Sequence, residues 1–133
     1  LPLSQSYRDF KAKQLAAQED FDVGGYEVHH NQKADAPGGT ALQLANEVIK
    51  NFPRKNKIVS LNPIGKVAPN ELNLSAIRVG FQPGAHAIIF DSPSDTIELT
   101  HTARNREAFA FGALAAAQFI KGKKGFYSIN DML

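Results

Sequence analysis

Residues 26–44 read YEVHHNQKADAPGGTALQL. The stretch opens in strict alternation: on a short strand over 26–30, Tyr26, Val28 and His30 fall on one face, Glu27 and His29 on the other. Polar residues follow, then Ala36-Pro37-Gly38-Gly39-Thr40, then an apolar pattern of helical period. A strand therefore delivers two imidazoles, a loop delivers an ammonium at Lys33, and a glycine turn opens a helix. The orphan N–H groups of that first turn, with the Thr40 hydroxyl beside them, form a site for a carboxylate or phosphate. Gly38 and Gly39 carry no Cβ, so a ligand can approach the backbone closely.

Outward from this stretch the elements follow in order. The helix predicted over 40–52 carries a stripe of Ala41, Leu44, Ala45, Val48, Ile49 and Phe52, and Pro53 stops it. Upstream, residues 4–18 read as a helix, with Leu3, Tyr7, Phe10 and Ala17 on one face and Ser6 and Asp9 at capping-box spacing. Gly24-Gly25 is expected to break the chain before the strand. Downstream, strands are predicted over 57–61, 72–79, 85–91 and 96–103, joined by turn-rich segments. The last strand alternates Ile97, Leu99 and His101 against Thr96, Glu98, Thr100 and Thr102. The second of those faces suits water or another sheet in an oligomer.

A final helix over 105–121 ends at Gly122. Phe109, Gly112, Ala113, Ala116, Ala117 and Ile120 form its stripe, and Phe111, Leu114 and Phe119 widen it past one face. A helix apolar on most sides is expected to be buried on most sides, here against another domain or subunit. The tail GFYSINDML is expected to dock, because Phe126, Tyr127 and Ile129 are costly to leave in water. The fold class is α+β: one mixed sheet of four or five strands with helices packed on one face. The 133 residues suit a single domain.

Composition narrows the function classes. With 43% hydrophobic and 21% charged residues, the chain has the make-up of a soluble globular protein. A net charge of +2 gives no case for nucleic acid, and Lys123-Lys124 reads as a solvated face. There is no cysteine, hence no disulfide, thiolate metal site or cysteine nucleophile, as suits the cytoplasm. No apolar run approaches the roughly 20 residues that span a bilayer, and no secretory pattern opens the sequence.

The string HHNQKADAPGGTA at 29–41 resembles the signature of the dihydrodipicolinate reductase family: HH, two variable residues, K, one more, then DAPSGTA, with Gly38 here where Ser is usual. A second stretch, IRVGFQPGAHAIIF followed by IELTHTARNREAFAFGALAAAQFI, is similar to the same family. The resemblance covers nearly everything after Val23. It implies the substrate-binding and oligomerisation domain of an oxidoreductase of lysine and diaminopimelate biosynthesis, assembled as a homotetramer through its sheets. NADH or NADPH would be bound mainly by an N-terminal Rossmann domain. This chain has no G-x-G-x-x-G and begins at Leu1, so it reads as one half of a longer protein. The reaction would reduce a small cyclic dicarboxylate with hydride from the cofactor and a proton from the protein, without a metal.

By the same resemblance His29 is the proton donor or acceptor and Lys33 its companion acid. His30 touches substrate, and Gly39 and Thr40 bind a carboxylate. Lys33 can equally serve as a fixed positive clamp, and the residues do not choose between the roles. Strict alternation would point His29 and His30 to opposite faces, so the strand must end or twist there. Taken singly, each residue has a bland explanation: a strand-end histidine, a helix cap, a surface lysine. The conjunction in this order favours the functional reading. Asp35 reads as a loop-fixing residue, His86 and His101 as core or interface histidines. Arg78 and Arg106 divide between ligand contacts and structural ion pairs. The adjacent His29-His30 pair lacks metal-ligand spacing. The rival reading is a binding or assembly module that keeps the fold and does no catalysis.

Overall fold

The computed structural model describes residues 13–18, 20–60 and 63–132. The chain divides into two units, Leu1–Ala103 and Arg104–Leu133. The first is built on five strands: β1 (Asp22–His29), β2 (Lys57–Ser60), β3 (Glu71–Arg78), β4 (Ala85–Asp91) and β5 (Thr96–Thr102). Helix α1 (Gly39–Asn51) connects β1 to β2. The strand order is β2-β3-β1-β4-β5. β1 and β2 run parallel to β3, whereas β4 pairs antiparallel with both β1 and β5. This is the expected mixed sheet, and β1 lies at its centre.

Alternation assigns the two faces. Val23, Gly25, Glu27 and His29 of β1 share one face with Leu72, Leu74 and Arg78 of β3, and with His86, Ile88 and Phe90 of β4, through the registers Gly25↔Leu74, His29↔Arg78, Glu27↔His86 and Val23↔Phe90. Helix α1 covers this face. Its predicted stripe is the buried one: Ala41, Ala45 and Val48 are out of water, with Leu44 and Ile49 packed against the cluster. Phe52, just past the helix and before Pro53, is fully buried and sits 6.4 Å from the Phe90 ring. Leu15 and Phe21 join the same cluster. Arg54 stacks 4.5 Å over Phe52 and donates to the carbonyls of Ala16, Gln18 and Phe21, tying the chain before β1 to the end of α1.

On the opposite face, the Tyr26 hydroxyl donates to Glu98 Oε1 at 2.8 Å, reaching from β1 across β4 to β5. Ala87, the register partner of Tyr26 on β4, is buried there.

Two expectations are corrected in this unit. Gly24-Gly25 does not break the chain; β1 runs through it and begins at Asp22. A side chain at Gly25 would place its Cβ 2.8 Å from the Ala87 carbonyl, so glycine lets β1 and β4 pair closely there. The strand also ends at His29, one residue short of the predicted His30. The apolar positions Leu3, Tyr7 and Phe10 of the first predicted helix lie outside the described residues; residues 13–16 are helical, as expected.

The second unit holds α2 (Glu107–Ile120) and a single 3-10 turn, Ile129–Asp131. Gly122, at φ +78°, follows the helix as predicted. Within this chain the expected burial against another domain or subunit is not supplied. No residue of α2 is buried, and Phe109, Phe111, Leu114 and Ile120 are exposed. The tail is only partly docked: Tyr127 meets Phe119 edge-on at 5.8 Å, but Phe126 is 98% exposed. Thirty residues with one helix cannot enclose so apolar a surface by themselves.

Candidate functional site

The covered face of the sheet changes character along β1. After Val23 and Gly25 comes Glu27, a carboxylate with no exposure at all. Burying an ionised carboxylate is costly unless it is paired and hydrogen-bonded. Glu27 meets both conditions on one oxygen: Oε1 accepts from Arg78 Nη2 at 2.6 Å and from the Gly38 backbone N–H at 3.0 Å. The other oxygen, Oε2, faces His29 Nδ1 at 3.5 Å and His86 Nε2 at 3.6 Å. The two imidazoles meet edge-on with centroids 5.1 Å apart.

The loop from β1 to α1 folds back over this cluster. The Lys33 N–H donates to the His30 carbonyl, and the Lys33 ammonium pairs with Asp35. Arg78 Nη2 also donates to the Asp35 carbonyl, so one guanidinium holds sheet and loop together. Gly38 is where the loop presses closest. A Cβ there would stand 2.9 Å from Lys33 Cε, 3.2 Å from Lys33 Nζ and 3.0 Å from Glu27 Oε2. Even the small side chain of Ser, usual in the resembling signature, would need these neighbours to yield. Helix α1 starts next, with Gly38 as N-cap, no side-chain cap, and Gly39 and Thr40 exposed. Its opening amides thus lie beside the Lys33 ammonium, where an anion meets both a cation and free N–H donors.

His29, Lys33, Gly39 and Thr40 are therefore brought to one place, and the helix start is open to solvent. Because β1 ends at His29, alternation does not reach His30, which opens the loop as a half-buried residue. Asp35 fixes the loop, as read from the sequence. Arg78 is an ion-pair residue inside the cluster. His86 belongs to the cluster, whereas its register partner His101 is exposed on β5. Arg106 lies in the other unit, at the N-cap of α2. Sequence reading missed Glu27. The available signal was an acid on the same alternating face as His29, in a strand otherwise free of charge between Gly24 and Val28.

Both imidazoles are held below the ordinary 6.5. For His29, burial is the main cause; the Glu27 charge opposes it, while Lys33, Arg78 and His30 push the same way as burial. For His86, burial leads and His29 adds to it, again against Glu27. Glu27, His29 and His86 each offer one ligand atom, all within 4.8 Å of one another. That is a two-histidine, one-carboxylate set. Arg78 already pairs with this carboxylate and Lys33 lies alongside, so a divalent cation would enter next to two positive charges. The charge balance suits an anion better than a metal.

The model of the dihydrodipicolinate reductase C-terminus matches residues 8–133. This chain belongs to that family. A 4-hydroxy-tetrahydrodipicolinate reductase of Caldanaerobacter subterraneus subsp. tengcongensis is 40% identical over 118 residues, covering 86% of this chain and 47% of the relative. One from Clostridium tetani is 45% identical over 117 residues, covering 86% and 46%. The chain thus spans about half the length of the relatives it matches. Among solved structures, a dipicolinate-bound dihydrodipicolinate reductase from Paenisporosarcina sp. TG-14 covers 97% of this chain and 51% of its own length at a TM-score of 0.66 and 24% identity, which establishes the shared fold. The dihydrodipicolinate reductase resemblance read from residues 29–41 and 77–120 is met.

Proposed function

We propose that this chain is the substrate-binding half of a 4-hydroxy-tetrahydrodipicolinate reductase, acting in lysine and diaminopimelate biosynthesis. The observation that carries it is the convergence of His29, Lys33 and the open start of α1 on one side of the sheet, within a chain of this family. In this reading the opening amides of α1, with Gly39 and Thr40, hold one carboxylate of a small cyclic dicarboxylate. Lys33 neutralises it, and His30 borders the ring. His29 supplies the proton. A buried imidazole with a depressed pKa gives up a proton readily once charged, and a bound dianion favours that charging.

NADH or NADPH supplies the hydride in this reading and is held mainly by a Rossmann domain outside this chain. The Gly38-Gly39 turn follows an eight-residue loop after β1 rather than the tight strand–turn–helix of a dinucleotide site, and it fits a carboxylate. A homotetramer in the cytoplasm, paired through the open sheet face, completes the proposal. Among the described residues no helix is long and apolar enough to cross a membrane.

Dipicolinate, the ligand bound to the solved relative from Paenisporosarcina, is the direct test. Calorimetry on this chain should give saturable heat that Lys33→Ala removes. A folded sample with no heat, or with heat indifferent to Lys33→Ala, overturns the placement of the anion site. In the enzyme carrying its cofactor domain, His29→Gln should lower kcat by about 10²–10⁴-fold, the range of general acid catalysis, with dinucleotide affinity unchanged. Undiminished turnover would remove His29 from the proton transfer.

A further inference from the structure

Among the described residues, the buried side-chain polar atoms without a hydrogen-bond partner are Glu27 Oε2, His29 Nδ1, His86 Nε2 and Arg78 Nε. All four belong to one cluster. Such atoms are costly in a folded interior, and here two imidazole nitrogens point at the unpartnered oxygen from 3.5 and 3.6 Å. An ionised carboxylate only accepts hydrogen bonds, and its second oxygen has room for two donors. Each nitrogen is therefore favoured there only as N–H; a lone pair turned toward Oε2 would be repelled.

We infer that Glu27 is a positioning residue that sets the tautomers of both histidines, holding His29 as Nδ1–H and His86 as Nε2–H. His29 Nε2 is then the nitrogen left to take up and release the working proton. The other oxygen of the same carboxylate holds the Gly38 N–H, one residue before the exposed Gly39-Thr40 start of α1. One buried group thus registers the proton-bearing ring against the anion cradle. The contacts are long for hydrogen bonds, as catalytic contacts often are before a ligand tightens them. The chemical role rests on the function proposed above; the tautomer assignment does not.

Nitrogen-15 long-range correlation spectra of the histidine rings, recorded on this chain without ligand above neutral pH, test it. Isolated neutral imidazoles favour Nε2–H, so the informative residue is His29. The expected result is Nδ1–H at His29 and Nε2–H at His86, with His29 reverting mainly to Nε2–H in Glu27→Met. His29 found as Nε2–H in the unsubstituted chain overturns the assignment, and so does Nδ1–H persisting in a folded Glu27→Met. If that variant does not fold, the unsubstituted spectrum still decides. A chain with Nδ1–H at His29 that ignores dipicolinate would sink the proposed function and leave the Glu27–His29 pairing standing.

Discussion

The covered face of the sheet has two ends built from the same strands. At one end Val23, Leu72, Leu74, Ile88 and Phe90 meet Phe52 and the α1 stripe, and the material is hydrocarbon. At the other, further along β1 and β3 and nearer the start of the antiparallel β4, Glu27, His29, Arg78 and His86 occupy equivalent inward positions. Alternation decides which way a side chain points; distance along the strand decides whether it meets oil or charge. The first end should carry the stability, and the second should cost stability in return for chemistry.

Three measurements press on that contrast. The largest effect should come from Phe52→Ala, which empties a fully buried site and should lower unfolding free energy in urea by about 3–5 kcal/mol. A loss under about 1 kcal/mol would mean that the apolar end is not the keystone. Next is Glu27→Met, which leaves the largely buried Arg78 side chain without its ionic partner. Removing one member of a buried pair costs about 3–5 kcal/mol, and the partial exposure of Arg78 should bring this to about 2–3. Adding Arg78→Met should recover most of it, because hydrocarbon can replace an ion pair at little cost. A double variant no better than the single one would show that the polar end supports the fold as well.

The smallest effect is in pH. His29 and His86 titrate below the ordinary 6.5, so the unfolded chain binds more protons than the folded one in that window. Their contribution to stability is complete above 6.5 and is lost as pH falls through the depressed folded values. Urea midpoints should therefore drop between about pH 7.5 and pH 5.5, and His86→Asn should flatten the change. A His86→Asn curve parallel to the parent would assign the drop to other groups.

Much of this was legible in the sequence, and the gaps have physical causes. The α1 stripe was readable because six apolar residues at helical spacing before a proline admit one arrangement. The strands were readable from alternation to within a residue or two, except that β1 starts four residues before the predicted Tyr26. Glu27 was not, since nothing local marks a strand glutamate as buried. Its partner Arg78 lies 51 residues on, and a strand order that is not sequential brings them together. The true end of β1 was hidden as well. It is set by the loop returning to Glu27 and Arg78 rather than by any property of His30. For α2, composition pointed to burial, but periodicity cannot say what does the burying.

The order β2-β3-β1 has a consequence for how the chain acquires its shape. β1 and β2 are made first, yet neither touches the other; both wait for β3 to slide between them. The β1–β3 ladder cannot close until residues 74–78 are available, and that closure must span the whole α1 crossover, an entropic toll that local hairpins avoid. β4 and β5 are joined by four residues and face no such delay. Pulse-labelled amides should accordingly gain protection in β4 and β5 before β3, so the half of the sheet that is synthesised last is the half that sets first.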